Sequence, residues 1–214
     1  RKSVLVFFDD ILAHSPSWTT HLHHLQQVLQ ILEDHVLYAK LSKCSFGLEQ
    51  INYLGHIVSN NGVQTEANKV QAVLQWPVPK TIKQLRGVLG LIGYYRRFIR
   101  GYATISNRLT NLLKKDNFKW SNEASNAFMS LKQAITTTPV LSLSDFSQSF
   151  VLETDASGSR IWAVPSQHKH PIAFFSKKLS TRLAKQSAYT RKFYAIIEAI
   201  AKFIHYMLGH KFII

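Results

Sequence analysis

The first apolar run of the chain, Val4 to Phe8, is broken by Asp9 and Asp10 and resumes at Ile11 to Ala13. Two short runs around a polar pair predict a tight hairpin with the aspartates at its turn. The spacing then lengthens: Leu22, Leu25, Leu29, Leu32 and Val36, three or four residues apart, predict an amphipathic helix capped by Thr19 or Thr20. "AKLSKCSF" and "INYLGHIVS" read as β-rich and are closed by the turn "NNG". Beyond it the pattern is helical: a segment around Val70 to Leu74 stopped by "WPVP", a helix opened by the capping box Thr81 to Gln84, and a third helix near Leu109 to Leu113. The second of these carries Leu85, Val88, Leu89 and Ile92 on its apolar side. Gly87, Gly90 and Gly93 weaken it and predict a close approach to its backbone.

From Ser121 the pattern changes again. Ala124, Ala127, Phe128, Leu131 and Ile135 predict a helix ending before Pro139, and "FVLETDAS", "RIWAV" and "PIAFFS" predict three short strands. A long helix follows with Tyr189, Phe193, Ile196, Ile197, Ile200, Ile204 and Met207 on one face, and "KFII" reads as a strand. Strands followed by a helix packed across them predict a separate α/β domain starting near Asp145. The fold class expected for the whole chain is α+β.

Charge alters this picture more than composition does. Lys and Arg number 26 against 12 Asp and Glu, a formal charge of +14 over 214 residues, which makes a polyanion the natural partner and nucleic acid its first candidate. A membrane surface competes poorly, because the positive charge is spread along the chain and no apolar run reaches spanning length. The sequence shows no signal peptide, and the expected location is intracellular, cytoplasmic or nuclear. The single cysteine, Cys44, has no partners at zinc-ligand spacing and reads as a small packed residue. Asp9 and Asp10 have two readings: turn residues bonded to nearby amides, or hard oxygen ligands for Mg²⁺ at a rigid hairpin tip. A basic chain that keeps an acidic pair at one point shifts the balance toward the metal.

"VFFDDILAHS" resembles the aromatic-x-Asp-Asp motif of reverse transcriptases. "HLHHLQQVLQILEDHVLYAKLSKCSF", "INYLGHIVS", "VQAVLQWPVPKTIKQLRGVLGLIGYYRRFIRGYA", "FVLETDAS" and "PIAFFSKKLS" follow in the order found in gypsy-type long-terminal-repeat retrotransposon polyproteins. The resemblance covers essentially the whole chain. It implies that Asp9 and Asp10 are two palm ligands of Mg²⁺ or Mn²⁺ in the intact parent, with Phe7 at a position where many members have Tyr. It also implies that Asn52 to His56, with Tyr53, Leu54, Gly55 and His56, is the primer-grip hairpin. Lys40 and Lys43 lie in the block lining the palm. In "YYRRFIRGY", Arg96, Arg97 and Arg100 are the candidates for template-primer contact, while helical spacing marks the interleaved aromatics as core. The family's third palm carboxylate is expected upstream of residue 1, so the chain reads as part of a longer protein and stable metal binding by this segment alone is not expected.

Asp155 in "ETDAS" matches the first catalytic carboxylate of the ribonuclease H unit of the same polyproteins. The second ligand should be a glutamate on the long helix; that position is Lys192, a lost catalytic position. A lysine there would hold a positive charge where a divalent cation should sit. Glu198 is expected on the opposite helix face. Trp162 stands where the family usually has Gly, and Pro165 is expected to interrupt its strand.

The implied organisation is a palm end over 1–65, a helical thumb-like region over 66–118, a connecting helix and linker over 119–144, and a truncated ribonuclease H-like domain over 145–214. The implied partners in the intact parent are an RNA template, a DNA primer, an RNA–DNA hybrid and dNTP, with no membrane. Two functional readings follow: part of an RNA-directed DNA polymerase with ribonuclease H, or a catalytically inactive remnant that only binds nucleic acid.

Overall fold

Two hairpins and one helix make up the first unit, which runs to Asn60; the second runs from Asn61 to Ile214. The computed structural model describes residues 3–114 and 118–214. In the first unit, β1 (Val4–Phe7) and β2 (Asp10–Ala13) pair antiparallel with Phe7 opposite Asp10. The turn is therefore Phe8-Asp9, and Asp10 already belongs to β2. Phe8 has φ of 50°, the left-handed region that a bulky side chain enters only under strain. Helix α1 (Trp18–Asp34) is capped by Ser17, which accepts from the Thr20 amide at 3.3 Å; neither predicted threonine is the cap. Leu25, Val28 and Leu32 are half-buried, whereas Leu22, Leu29 and Val36 of the predicted stripe stay exposed.

"AKLSKCSF" forms no strand. The Lys43 and Cys44 amides donate to the Lys40 and Leu41 carbonyls and close a 3₁₀ turn at Leu41–Lys43, so local bonds satisfy backbone groups that a ladder would have used. β3 (Gln50–Tyr53) and β4 (His56–Ser59) pair with Tyr53 opposite His56. Leu54 and Gly55, with φ of 50° and 72°, make the two-residue turn whose positive angles match the twist of the flanking strands.

The second unit starts with β5 (Gly62–Thr65), where Val63 and Leu141 exchange two backbone bonds of 2.8 Å. A Cβ at Gly62 would lie 2.1 Å from the Leu141 carbonyl oxygen, and φ there is 127°; only glycine fits. α2 (Ala67–Gln75) and α3 (Ile82–Tyr94) follow. Thr81 caps α3 through the Gln84 amide, while the Gln84 side chain reaches the Lys80 amide, one residue ahead of the predicted box. A 3₁₀ turn at Arg96–Phe98 leads to α4 (Tyr102–Ile105) and α5 (Asn107–Asn111), two short helices where the spacing predicts one. α6 (Asn122–Thr136) closes this layer. Its Ala124, Phe128, Leu131 and Ile135 meet Leu85, Val88, Leu89 and Ile92 of α3 in one core, as the apolar spacing predicts. Of the three α3 glycines, Gly87 faces the Trp76 ring and Gly93 the Tyr102 hydroxyl, each at 3.4 Å from an added Cβ, while nothing approaches Gly90.

The sheet of the second unit comprises β6 (Phe150–Ala156), β7 (Arg160–Gln167), β8 (His170–Pro171) and β9 (Phe175–Lys178), followed by α7 (Thr181–Ala184), α8 (Ala188–Met207) and β10 (Phe212–Ile213). β7 lies antiparallel to β6, β8 and β9, and β10 adds parallel to β6. Pro165 does not interrupt β7. It pairs with Leu152, and its carbonyl accepts from Ile172 at 2.8 Å, so its missing donor falls on the side where β8 is only two residues long.

Helix α8 keeps Met207 and, half-buried, Ile196 and Ile200 of its predicted face, and departs from the rest of it. The buried positions are Ala195, Ala199, Phe203 and Met207, while Tyr189, Phe193, Ile197 and Ile204 are exposed. Small residues at 195 and 199 bring the helix backbone close to the sheet, and Phe150, Leu152 and Phe175 supply the bulk from the other side. Accordingly, Ala199→Leu is expected to destabilise the fold by about 1–3 kcal/mol through overpacking. Ile197→Ser should stay within about 0.5 kcal/mol, as surface changes do. Urea unfolding of both variants checks this; the reverse order would restore the predicted face.

Candidate catalytic and nucleic-acid-binding sites

The Phe8-Asp9 turn presents both aspartates to solvent at the end of the β1–β2 hairpin. The β3–β4 hairpin comes to the same place: the Tyr53 hydroxyl lies 3.5 Å from the Asp10 carbonyl oxygen, at the long limit of a hydrogen bond. Burial, and then the Asp10 carboxylate, push the Tyr53 phenol above its ordinary range. Tyr53, Leu54, Gly55 and His56 thus form one turn, held by the His56 ring, whose Nδ1 is 2.7 Å from the Leu54 carbonyl. A carbonyl only accepts, so this contact places the proton on Nδ1. Two adjacent carboxylates are suitable hard ligands for Mg²⁺. Among the described residues no group of three or more His, Cys, Asp or Glu is arranged to hold a metal, so the pair fits only part of such a site.

The three arginines separate. Arg96 and Arg100 are exposed, but Arg97 is half-buried: its guanidinium donates to the Ile172 carbonyl at 3.3 Å, and its own carbonyl accepts from Phe174 at 2.7 Å. Arg97 ties the helical layer to the sheet and leaves the predicted duplex-facing set, because the three-residue turn of a 3₁₀ segment sends successive side chains about 120° apart. Tyr95 and Phe98 are buried core residues, as their spacing predicts, while Tyr94 is exposed. Arg100 lies with its guanidinium carbon 5.8 Å from the centre of the Trp162 ring.

Asp155 and Lys192 meet as the sequence predicts. The Lys192 ammonium is 3.9 Å from a carboxylate oxygen of Asp155, with the two side chains 65% and 48% exposed. Asp155 sits opposite Trp162 in the β6–β7 ladder. A divalent cation does not fit a donor set of one carboxylate with an ammonium 3.9 Å away.

Glu198 is not on the opposite helix face. Its carboxylate accepts from Lys177 of β9 at 2.7 Å and from the Tyr194 hydroxyl in a short bond. Those contacts, Lys177 first, hold the Glu198 carboxyl below its usual range, and the Glu198 bond raises the Lys177 amine. Glu198 is committed to that network and offers no replacement for residue 192. Sequence reading also missed Lys132, whose amine donates to the Leu74 and Trp76 carbonyls at 2.7 and 2.6 Å and caps the end of α2. Neither contact has a local signal, because each joins elements distant in the chain.

The family described as Reverse transcriptase (RNA-dependent DNA polymerase) matches residues 1–58, and the RNase H-like domain found in reverse transcriptase matches residues 120–214. The Retrovirus-related Pol polyprotein from transposon 297 of Drosophila melanogaster is 42% identical over 218 residues, covering 100% of this chain and 20% of its own length. The chain belongs to the retrotransposon reverse transcriptase–ribonuclease H family. The Tf2-3 polyprotein of Schizosaccharomyces pombe is 36% identical over 214 residues, covering 97% of this chain and 16% of that polyprotein. The chain thus spans about a fifth or less of these curated relatives. An uncharacterized mitochondrial protein of Arabidopsis thaliana is 51% identical over 132 residues, 61% of this chain and 84% of that protein. The fold agrees with this membership. A foamy viral protease-reverse transcriptase in complex with ds DNA matches at a TM-score of 0.90 and 22% identity, covering 98% of this chain and 38% of the other. A second foamy viral structure, in complex with an RNA/DNA hybrid, matches at 0.89 and 22% identity, over 98% and 29%.

Proposed function

We propose that this segment of a reverse transcriptase serves RNA-directed DNA synthesis in the intact parent by holding the template-primer, and that its ribonuclease H-like centre does not cleave. The observation that carries the second half is the Lys192 ammonium 3.9 Å from Asp155, where a second carboxylate would be needed. In the polymerase half, Asp9 and Asp10 would hold Mg²⁺, which when bound activates the primer 3′ hydroxyl and stabilises the leaving pyrophosphate. The Tyr53–His56 turn beside Asp10 would then meet the primer strand. Arg96 and Arg100 would contact backbone phosphates, consistent with the net charge of +14. The RNA template, DNA primer and RNA–DNA hybrid are proposed as partners because proteins of the same fold were solved in complex with ds DNA and with RNA/DNA hybrid, and dNTP follows from the polymerase chemistry. Among the described residues no helix is long and apolar enough to cross a membrane.

Duplex binding by the 214-residue chain should weaken linearly with log salt, and Arg96→Gln should reduce that slope by about one phosphate equivalent. Fluorescence anisotropy at several salt concentrations reads both; salt-insensitive or absent binding counts against the proposal. In parallel the chain should leave an RNA–DNA hybrid intact in Mg²⁺, and cleavage would sink the claim about Asp155 and Lys192.

A further inference from the structure

Where the chain leaves β2 and enters α1, three side chains converge. His21 and His24 stand three residues apart on α1, so they share one face of the helix. Both rings turn Nδ1 toward the Ser15 hydroxyl, His24 at 2.7 Å and His21 at 3.4 Å. We propose that His21 and His24 bind a divalent cation of the Zn²⁺ and Cu²⁺ class, at a site separate from the Asp9-Asp10 pair.

Two observations carry this. The first is the convergence of lone pairs. A hydroxyl has one proton, so Ser15 donates to one ring only, and the shorter contact makes His24 the acceptor. The His24 Nδ1 lone pair then faces inward and its proton lies on Nε2, the tautomer that an ion on that side requires. A zinc–nitrogen bond is about 2.1 Å long, so an ion at the place of the hydroxyl oxygen needs the two rings to close in by about 0.6 and 1.3 Å. Side-chain rotation can supply shifts of that size while the helix backbone stays in place. The second is the setting of the rings. His21 lies against the Trp18 ring, with centroids 5.8 Å apart, and Trp18 itself abuts Gly47, where an added Cβ would come within 2.9 Å of the indole. Both imidazoles are half-buried, whereas His23 is exposed and its Nε2 lies 3.2 Å from the Gln27 amide nitrogen. Rings confined in this way have less rotamer freedom to lose on binding.

Donor type selects the ion. Imidazole nitrogen suits Zn²⁺ and Cu²⁺, whereas Mg²⁺ takes oxygen. No third His, Cys, Asp or Glu among the described residues joins the pair, so water completes the shell and the site is open rather than closed. The partial positive charge at the N-terminal end of α1 weakens the hold on any cation, so the ion exchanges, and Cu²⁺, higher in the affinity order, binds more tightly than Zn²⁺. A bound ion fastens α1 in a unit where Leu12 is the one buried hydrophobic residue among those described.

The test titrates Zn²⁺ alone, and in a second series Cu²⁺ alone, into the full chain by calorimetry, with and without an excess of Mg²⁺. His21→Gln and His24→Gln should each weaken Zn²⁺ binding at least about tenfold, since loss of a partner behind a ligand already costs about 10–100-fold. His23→Gln should bind as the native chain does, because its ring meets Gln27 and not Ser15. The double variant His21→Gln/His24→Gln gives the background from the other histidines; its melting by circular dichroism should match the native chain without metal, and Zn²⁺ should raise the native midpoint alone. Native-like affinity in either single variant overturns the proposal, as does an equal loss in His23→Gln. Displacement by Mg²⁺ would assign the ion to Asp9 and Asp10 and overturn it as well. Duplex binding does not depend on any of these outcomes, so the two proposals can fail separately.

Discussion

Lys192→Glu is expected to bind Mn²⁺ beside Asp155 roughly a hundredfold more tightly than the native chain. Two unit charges about 4 Å apart interact by about 1 kcal/mol in water, and a divalent ion doubles this. Replacing an ammonium by a carboxylate turns that repulsion into attraction, a swing of about 4 kcal/mol. Salt and the exposure of both side chains reduce it to about 2–3 kcal/mol, which is the hundredfold stated. The measurement is paramagnetic broadening of the amides of Asp155 and Trp162 on Mn²⁺ titration, strong in the variant and weak in the native chain. Equal broadening in both would show that Lys192 does not govern the site. Glu198 offers no bypass, because Lys177 and Tyr194 hold it in their own network.

Phe128→Ala should cost about 3–5 kcal/mol, the range for losing a large buried aromatic. Phe128 is fully enclosed between α6 and α3, with its ring edge-on to Trp120 at 6.0 Å. The Lys132 amine sits 4.7 Å from the Phe128 ring centre while it caps the end of α2, so truncation also loosens a bridge between α2 and α6. Burial already lowers the Lys132 amine below its ordinary range, and opening the ring contact to water should return it toward that range. A denaturant midpoint shift without a change in slope would show lost packing; a loss below about 1 kcal/mol would mean that the core closes over the cavity.

Some elements were legible in the sequence because the information is local. The apolar positions of α3 and α6 recur at helical spacing and both faces are buried where that spacing puts them. Thr81 caps α3 because a hydroxyl before the first turn needs only the amide of Gln84, whereas the hairpin over Asn52 to His56 was expected only through the family resemblance. The candidate site positions were legible through motif order: Asp9 and Asp10 at a hairpin end, and Asp155 paired with Lys192.

Other features were not. The buried face of α8 was only partly legible, Met207 and Ile200 being where the spacing puts them, because periodicity ranks residues by apolarity, while the sheet selected two alanines that permit close approach and left Phe193 and Ile197 in water. Arg97 carries the same charge as Arg96 and Arg100; only the position of Ile172, seventy-five residues away, made it a structural tie. The sequence by itself determined where α3 and α6 begin and which residue types stand at the candidate catalytic positions, since propensity, capping and charge act within a few residues. The tertiary structure decided which apolar face is covered and which cations remain free for a polyanion, because those depend on distances between residues that the chain order does not set.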